Sequence, residues 1–590
     1  MEVTPRTRIP DAHWARASWI PDPWGWIFAA SVLLLLARAM LMAEPVLMYD
    51  EYHLAKTAQL WFLNAEHART ITGIPGAGEP NFPNSLFFGL YQFTFAFGTS
   101  FYTAAKILNV LLVAGSAYAA GRVAMMFTDR RTAGWIAVLV LWLPATGYAS
   151  GFLAEPLYEC IVWVGLWTFF SLLERDVRRA AAALGACLAA AYLTKPTAVV
   201  LLVTANAVIA LAATRADARG SRFERVMSSV AALDLTFLAT GFVLNAVLTR
   251  TFVWDPIGNY YRQDLARALS VETGGQFLAA AMRYVLAYTF FVLLLFGPAV
   301  TAVLAGFGRV GRTVRLAALW WFAVAGMTLL VLGTAKASMN WEQVYQGAPR
   351  IYSTRYMSVL FPLLLIAYAG LRDEAVGAVR IRRVVGSLIA LLVAGLAIAF
   401  ANIDNTIQLR EIFWTRGWTG IGGKQGISVF VLAVCAFAAC SAYHAMARKP
   451  RAAVYGGLLS VWAVASAMGL FRLDWWTSNG WYGPSDRAGR VVASLVSPSA
   501  RDEGLVVFDY NWRASSFMFR YPGFVPLRQL PSGTVVERST IPASAKWVVF
   551  LGPILPAVRD PQCVGLPDVL WCPLSREALV QPDTGPERRE

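Results

Sequence analysis

The chain has 590 residues, of which 57% are hydrophobic and only 15% charged. Soluble domains carry about a quarter charged residues, so this balance excludes an ordinary water-soluble globule and points to a mainly α, polytopic membrane bundle. The net charge of +15 would suit a nucleic-acid binder. Its basic residues, however, sit in short loops between apolar stretches, where membrane topology accounts for them, and no nucleic-acid partner is expected.

In chain order, the basic segment 1–23 precedes an apolar stretch over 24–43. Ala37-Arg38-Ala39 loosely fits a cleavage site, but an arginine inside such a site and the length of the stretch favour a signal anchor. Further apolar runs predict helices over 101–126, 133–151, 154–173, 180–194, 196–213, 226–249, 281–305, 315–334, 355–371, 383–402, 427–447 and 452–471. Each approaches the span of a bilayer, giving about 13 transmembrane helices. Pro156 and Pro196 fit first-turn positions after short turns. The alternating pattern of a membrane barrel is not seen.

Alternate loops carry the arginines: Arg130 and Arg131; Arg175, Arg178 and Arg179; Arg215 to Arg225; Arg309 to Arg315; Arg372 to Arg383; Arg448 and Arg451. The intervening loops carry Asp50, Glu51, Glu155, Asp255 and Asp264. The positive-inside rule then sets a cytoplasmic N-terminus and an outer tail from Asp474. The first outer loop, 44–100, has helical spacing from Tyr49 to Asn64, read as an interfacial helix. A turn-rich segment, 74–83, follows, and then Ser85 to Phe97, read as a second interfacial helix. The three expected segments are thus 1–23, a membrane body over 24–473 and a small soluble α/β domain over 474–590. In that tail Leu505 to Phe508 and Trp547 to Leu551 read as buried strands. Cys563 and Cys572, nine residues apart, are expected to form a disulfide if the tail lies in an oxidising compartment. Cys160, Cys187, Cys435 and Cys440 lie in apolar stretches as packing residues.

The strongest chemical signal is Tyr49-Asp50-Glu51-Tyr52-His53, just after the first helix. An arbitrary acidic pair at a membrane edge is a wetted loop. Here Glu155, in Gly151-Phe152-Leu153-Ala154-Glu155-Pro156, falls at the same predicted face. So do Lys195 in Leu193-Thr194-Lys195-Pro196, Lys336 in Gly333-Thr334-Ala335-Lys336, and Arg355-Tyr356. Single charges at helix ends serve as anchors; several of both signs at one face suggest a bound anionic ligand.

In order and placement these motifs resemble the GT-C glycosyltransferases. The nearest branch is the protein O-mannosyltransferase and lipid A aminoarabinose transferase group, and the resemblance covers about residues 24–372. It implies a polyprenyl-phosphate-linked sugar as donor and a hydroxyl acceptor at the outer face. It also implies that Asp50 is the general base, in a displacement that inverts the anomeric centre. A departing phosphate needs no proton, so one base suffices where a glycosidase needs two carboxylates.

Fixed cations aimed at the phosphate stabilise charge that grows in the transition state. Lys195, Lys336, Arg355, Arg262 and Arg267 are the candidates. Tyr52, Tyr260, Tyr261 and Tyr352 are expected to contact sugar or acceptor, although Trp254, Tyr260 and Tyr261 read equally as an interfacial aromatic anchor. Glu51 and Glu155 either orient the acceptor or hold a divalent cation, Mg or Mn. His53 reads more simply as a loop histidine than as a third ligand.

The branch's Glu-Lys-Pro element is replaced by Asn81-Phe82-Pro83-Asn84, which argues against assuming an aminoarabinose donor. Asp234, within a predicted span, should find a hydrogen-bond partner in the bundle. The competing reading is a transporter or flippase for a polyprenyl-linked saccharide. It would place polar sites at midplane, and it is weakened by the absence of an evident repeat. An arginine-rich, lysine-poor composition favours a bacterial inner membrane, with the outer face in the periplasm.

Overall fold

The computed structural model describes residues 24–41, 48–63, 84–215, 221–250, scattered positions between 252 and 304, 313–344, 357–372 and most of 483–579. The expected helices 383–402, 427–447 and 452–471 lie outside the described residues, as do segment 1–23, Tyr260, Tyr261, Arg262, Arg267, Tyr352 and Arg355.

Helix α1 (Trp24–Leu41) is followed by α2 (Met48–Leu63), α3 (Ser85–Tyr91) and α4 (Phe101–Ala124). Next come α5 (Arg130–Leu141), α6 (Glu155–Leu172), α7 (Val177–Thr194), α8 (Ala198–Arg215) and α9 (Arg222–Thr249). Then α10 (Val314–Trp321) passes through a π-helical turn, Phe322–Gly326, into α11 (Met327–Val344), and α12 (Phe361–Arg372) ends this part. Between α9 and α10, the described positions Tyr284, Tyr288, Val292, Phe296, Ala299 and Val303 are helical and buried. They recur every three or four residues, one face of the helix expected over 281–305.

Among the described residues, five helical stretches are long and apolar enough to cross a membrane: Trp24–Leu41, Ser85–Ala124, Ala198–Arg215, Arg222–Thr249 and Val314–Ala335. Large apolar side chains point outward on α1 (Trp26, Leu33, Leu41) and α9 (Leu235, Val243, Val247), as a lipid-facing surface requires. The chain is a membrane protein on this ground.

Two boundaries differ from expectation. The helix expected over 133–151 stops at Leu141, and a 3-10 segment, Pro144–Ser150, continues the chain. Pro144 supplies no N–H to extend an α-helix and starts that segment. Ser85–Phe97, expected as a separate interfacial helix, instead runs through a 3-10 stretch (Gln92–Ser100) into α4, with a kink at Gly98, whose φ is 56°. A glycine carries that left-handed angle without penalty.

Polar caps start the helices beside the arginine-rich loops. Asp129 accepts from the Thr132 N–H, Asp176 from those of Arg178 and Arg179, and Thr313 from that of Leu316. Ser221 and Glu224 form a reciprocal capping box. Arg315 pairs with Glu174 at 2.8 Å, so two of the arginine-bearing loops share one end of the bundle. Trp163, Phe169 and Phe170 of α6 are buried in the core. An added Cβ at Gly185 would lie 2.3 Å from the Leu233 carbonyl oxygen, so α7 and α9 meet at backbone distance, as small residues allow. Asp234 accepts a hydrogen bond from the Asn206 amide at 3.0 Å, the partner its position demanded.

The C-terminal part is a small α/β unit. It contains α13 (Gly483–Leu495), β1 (Gly504–Phe508), α14 (Asn511–Arg520), β2 (Leu527–Gln529), β3 (Val535–Val536), β4 (Trp547–Leu551), β5 (Leu555–Pro556), β6 (Val564–Leu566) and β7 (Val569–Pro573). The main sheet has order β2-β1-β4-β7-β6. β1 runs parallel to β2 and β4, and β7 antiparallel to β4 and β6. β1, β4 and β7 are buried along their whole length because both sheet faces are covered. Val506, Trp547, Val549 and Trp571 pack with α13 and α14 on one face; Leu505, Val507, Val548 and Phe550 form the core of the other. Cys563, just before β6, is bonded to Cys572 in β7.

Candidate active site

Asp50, Tyr52 and His53 lie in the first turns of α2 and Lys336 lies in α11, but their side chains lie outside what is described. The adjacent Glu51 is fully buried. One of its oxygens, Oε2, accepts the Phe152 backbone N–H at 2.9 Å and the Tyr102 hydroxyl from the first turn of α4. The other, Oε1, lies against Gly151, where an added Cβ would come within 3.1 Å of it. Two turns along α4, Asn109 holds the same loop. Its amide donates to the Gly151 carbonyl at 2.6 Å and its Oδ1 accepts from the Tyr91 hydroxyl. The loop between Ser150 and Glu155 is therefore clamped from α2, α3 and α4. Phe152 fills an aromatic cage of Phe87, Tyr91, Phe95, Phe101 and Tyr102.

That clamped loop delivers Glu155 to the start of α6. Glu155 forms an ion pair with Lys195 at 2.6 Å, and both side chains are largely buried. Lys195 stands where α7 ends, its backbone extended (φ −154°, ψ 118°) before Pro196, as the residue preceding a proline must be. One turn below Glu155, Glu159 accepts the Ser358 hydroxyl at 2.5 Å from the 3-10 turn that starts α12. Lys106, buried on α4, has its ammonium 5.2 Å above the Tyr102 ring.

The structure thus joins Glu155 to Lys195 directly, and ties Glu51 to the loop three residues before Glu155. Tyr102, Asn109, Lys106, Glu159 and Ser358 were not anticipated. Glu159 could have been found, because a carboxylate four residues after Glu155 shares its helix face. Glu51 and Glu155, expected as candidate ligands for a divalent cation, each have a protein partner. Glu155 is paired with Lys195, and one oxygen of Glu51 accepts two donors. Among the described residues no three of His, Cys, Asp or Glu gather as a metal site.

No family model and no curated protein sequence matches the chain. Among solved structures it is similar to ArnT from Cupriavidus metallidurans in the apo state, at 14% identity over 85% of each chain and a TM-score of 0.45. It is similar to the Archaeoglobus fulgidus oligosaccharyltransferase in the apo form, at 12% identity over 89% of this chain and 69% of that one, with a TM-score of 0.40. A third likeness is to the arabinosyltransferase EmbB from Mycobacterium smegmatis, at 17% identity over 83% of this chain but 46% of EmbB, with a TM-score of 0.42.

Proposed function

We propose that the chain is a membrane glycosyltransferase of the GT-C type, moving a sugar from a polyprenyl-phosphate donor to a hydroxyl acceptor in the cell envelope. The reaction takes place at the outer face of a bacterial inner membrane. Asp50 removes the acceptor's proton as its oxygen attacks the anomeric carbon. The carbon–oxygen bond to phosphate breaks, the phosphate leaves with the bonding pair, and the configuration inverts. Lys195, Lys336, Arg355, Arg262 and Arg267 are the cations proposed for the phosphate, and Tyr52, Tyr260, Tyr261 and Tyr352 the rings proposed for sugar or acceptor. The soluble domain over 474–590 faces the same compartment.

The observation that supports this reading is the convergence of residues far apart in sequence at one end of the bundle. Glu51, the 150–155 loop, Glu155 and Lys195 join across separations of 101 and 40 residues. Buried charges inside a membrane protein are costly and mark ligand pathways. Here they sit at helix ends beside α2 rather than at midplane, where a flippase would bind its cargo.

Reconstitution with polyprenyl-phosphate sugars tests it. Asp50→Asn should fold and lose activity by about 10²–10⁴-fold, the usual contribution of a general base. Full activity in that variant removes Asp50 as the base. Sugar crossing the bilayer without a new glycosidic bond would establish the flippase instead.

A further inference from the structure

Lys56 lies on α2 among residues assigned no role, and it is 4% exposed. Its ammonium donates to the Tyr521 carbonyl at 2.7 Å, to the Gly523 carbonyl at 3.5 Å and to Gln59 Oε1 at 3.2 Å. The two carbonyls lie just past the end of α14, against which α2 packs. A helix end leaves carbonyls without partners and carries partial negative charge, so a lysine is well matched to it.

This anchor is a stiff part of the C-terminal domain. Tyr521 is buried, its hydroxyl donates to the Arg501 carbonyl at 2.8 Å, and its ring packs on Phe517 and Trp547 at 5.5 and 5.2 Å between centroids. At Gly523 an added Cβ would lie 2.8 Å from the same Arg501 carbonyl, so the corner has no room to give.

Helix geometry supplies the consequence. Successive residues turn by about 100°, so Glu51 and Lys56 stand about 140° apart around α2, and Asp50 stands about 100° from one and 120° from the other. Glu51 ties its face to the membrane body through Tyr102 and Phe152; Lys56 ties its face to the C-terminal domain. The Asp50 position falls on the remaining third of the helix.

We infer that Lys56 is a positioning residue: it clasps the C-terminal domain to α2 and so fixes the rotation at which that helix presents Asp50. The inference rests on Asp50 being the base. It gives the C-terminal domain a task in catalysis with no catalytic group of its own.

The test uses the full chain in lipid nanodiscs. Hydrogen exchange is followed at the amides of α2 and of Tyr521 and Gly523, and kcat and KM are measured with undecaprenyl-phosphate sugars assayed singly. Lys56→Met should speed exchange at both segments and lower kcat about tenfold with donor KM unchanged, since small misplacements of reacting groups are costly. Lys56→Gln, which keeps an uncharged N–H donor for the carbonyls, should restore part of both. Tyr521→Phe loosens the anchor from the domain side and should shift both readouts less, in the same direction; it decides the matter if Lys56→Met does not fold. Wild-type kcat in Lys56→Met, with or without faster exchange, overturns the inference. An active Asp50→Asn protein removes the base assignment, while the exchange readout still judges the clasp on its own.

Discussion

Glu155 and Lys195 meet at 2.6 Å across 40 residues of sequence, with 6% and 12% of their side chains exposed. Removing one partner of such a pair strands the other charge, at a cost of about 3–5 kcal/mol. Lys195→Met should therefore lower the melting temperature in detergent more than Glu155→Gln/Lys195→Met does. A double variant whose loss equals the sum of the Glu155→Gln and Lys195→Met losses would show that the pair is not coupled.

Glu51 and Tyr102 hold the loop that precedes Glu155. A hydrogen bond to a charged group contributes about 1.5–3 kcal/mol, so Tyr102→Phe should cost about that much stability. Glu51→Gln and Tyr102→Phe share the loop, and their combined effect should miss additivity by at least about 0.5 kcal/mol. A double-mutant cycle on thermal stability reads this directly; strict additivity would place the two residues in separate networks.

Burial pushes the Lys56 ammonium down from 10.5 to about 7, with Asp502 pulling it partly back. Released from the interface, the amine returns to its ordinary range near 10.4. Between about pH 7 and that value the undocked state binds more protons, so docking strengthens as pH rises. Below about pH 7 the burial penalty is felt in full. Exchange at Tyr521 and Gly523, corrected for intrinsic rates, should slow between pH 6.5 and 8.5 in the wild type. Lys56→Met should show no such change.

Cys563 and Cys572 close a short loop at the β6–β7 hairpin, with a sequence separation of 9. The chain-entropy account gives about 2–3 kcal/mol for a loop of this length. Cys563→Ser/Cys572→Ser should unfold the C-terminal domain at lower denaturant while leaving the membrane helices helical. Reduction of the wild type should reproduce the shift.

Much of this was readable from residue order because membrane helices announce themselves by length and apolarity. The boundaries of α1, α6 and α8 follow from that alone, and Tyr49 to Asn64 predicts α2 nearly to the residue. β1 and β4 were legible for a similar reason, as short unbroken apolar runs in a polar tail. The site was legible only as a set of charges at one predicted face. Which charge meets which depends on tertiary packing. Nothing local says that Glu51 reaches Phe152 rather than Glu155, or that Asn109, within an apolar helix, turns its amide to Gly151. Lys56 was the hardest case, since its partners are backbone carbonyls more than 460 residues away and carry no side-chain signature.

The backbone contact at Gly185 bears on motion. With no side chain between α7 and Leu233 of α9, and an added Cβ at Gly165 of α6 only 2.7 Å from Cys187 Cβ, α6, α7 and α9 are pressed together along this flank. An alanine at Gly185 would drive its methyl into the Leu233 carbonyl and force α7 and α9 apart, so this seam tolerates no side chain without a shift of a whole helix.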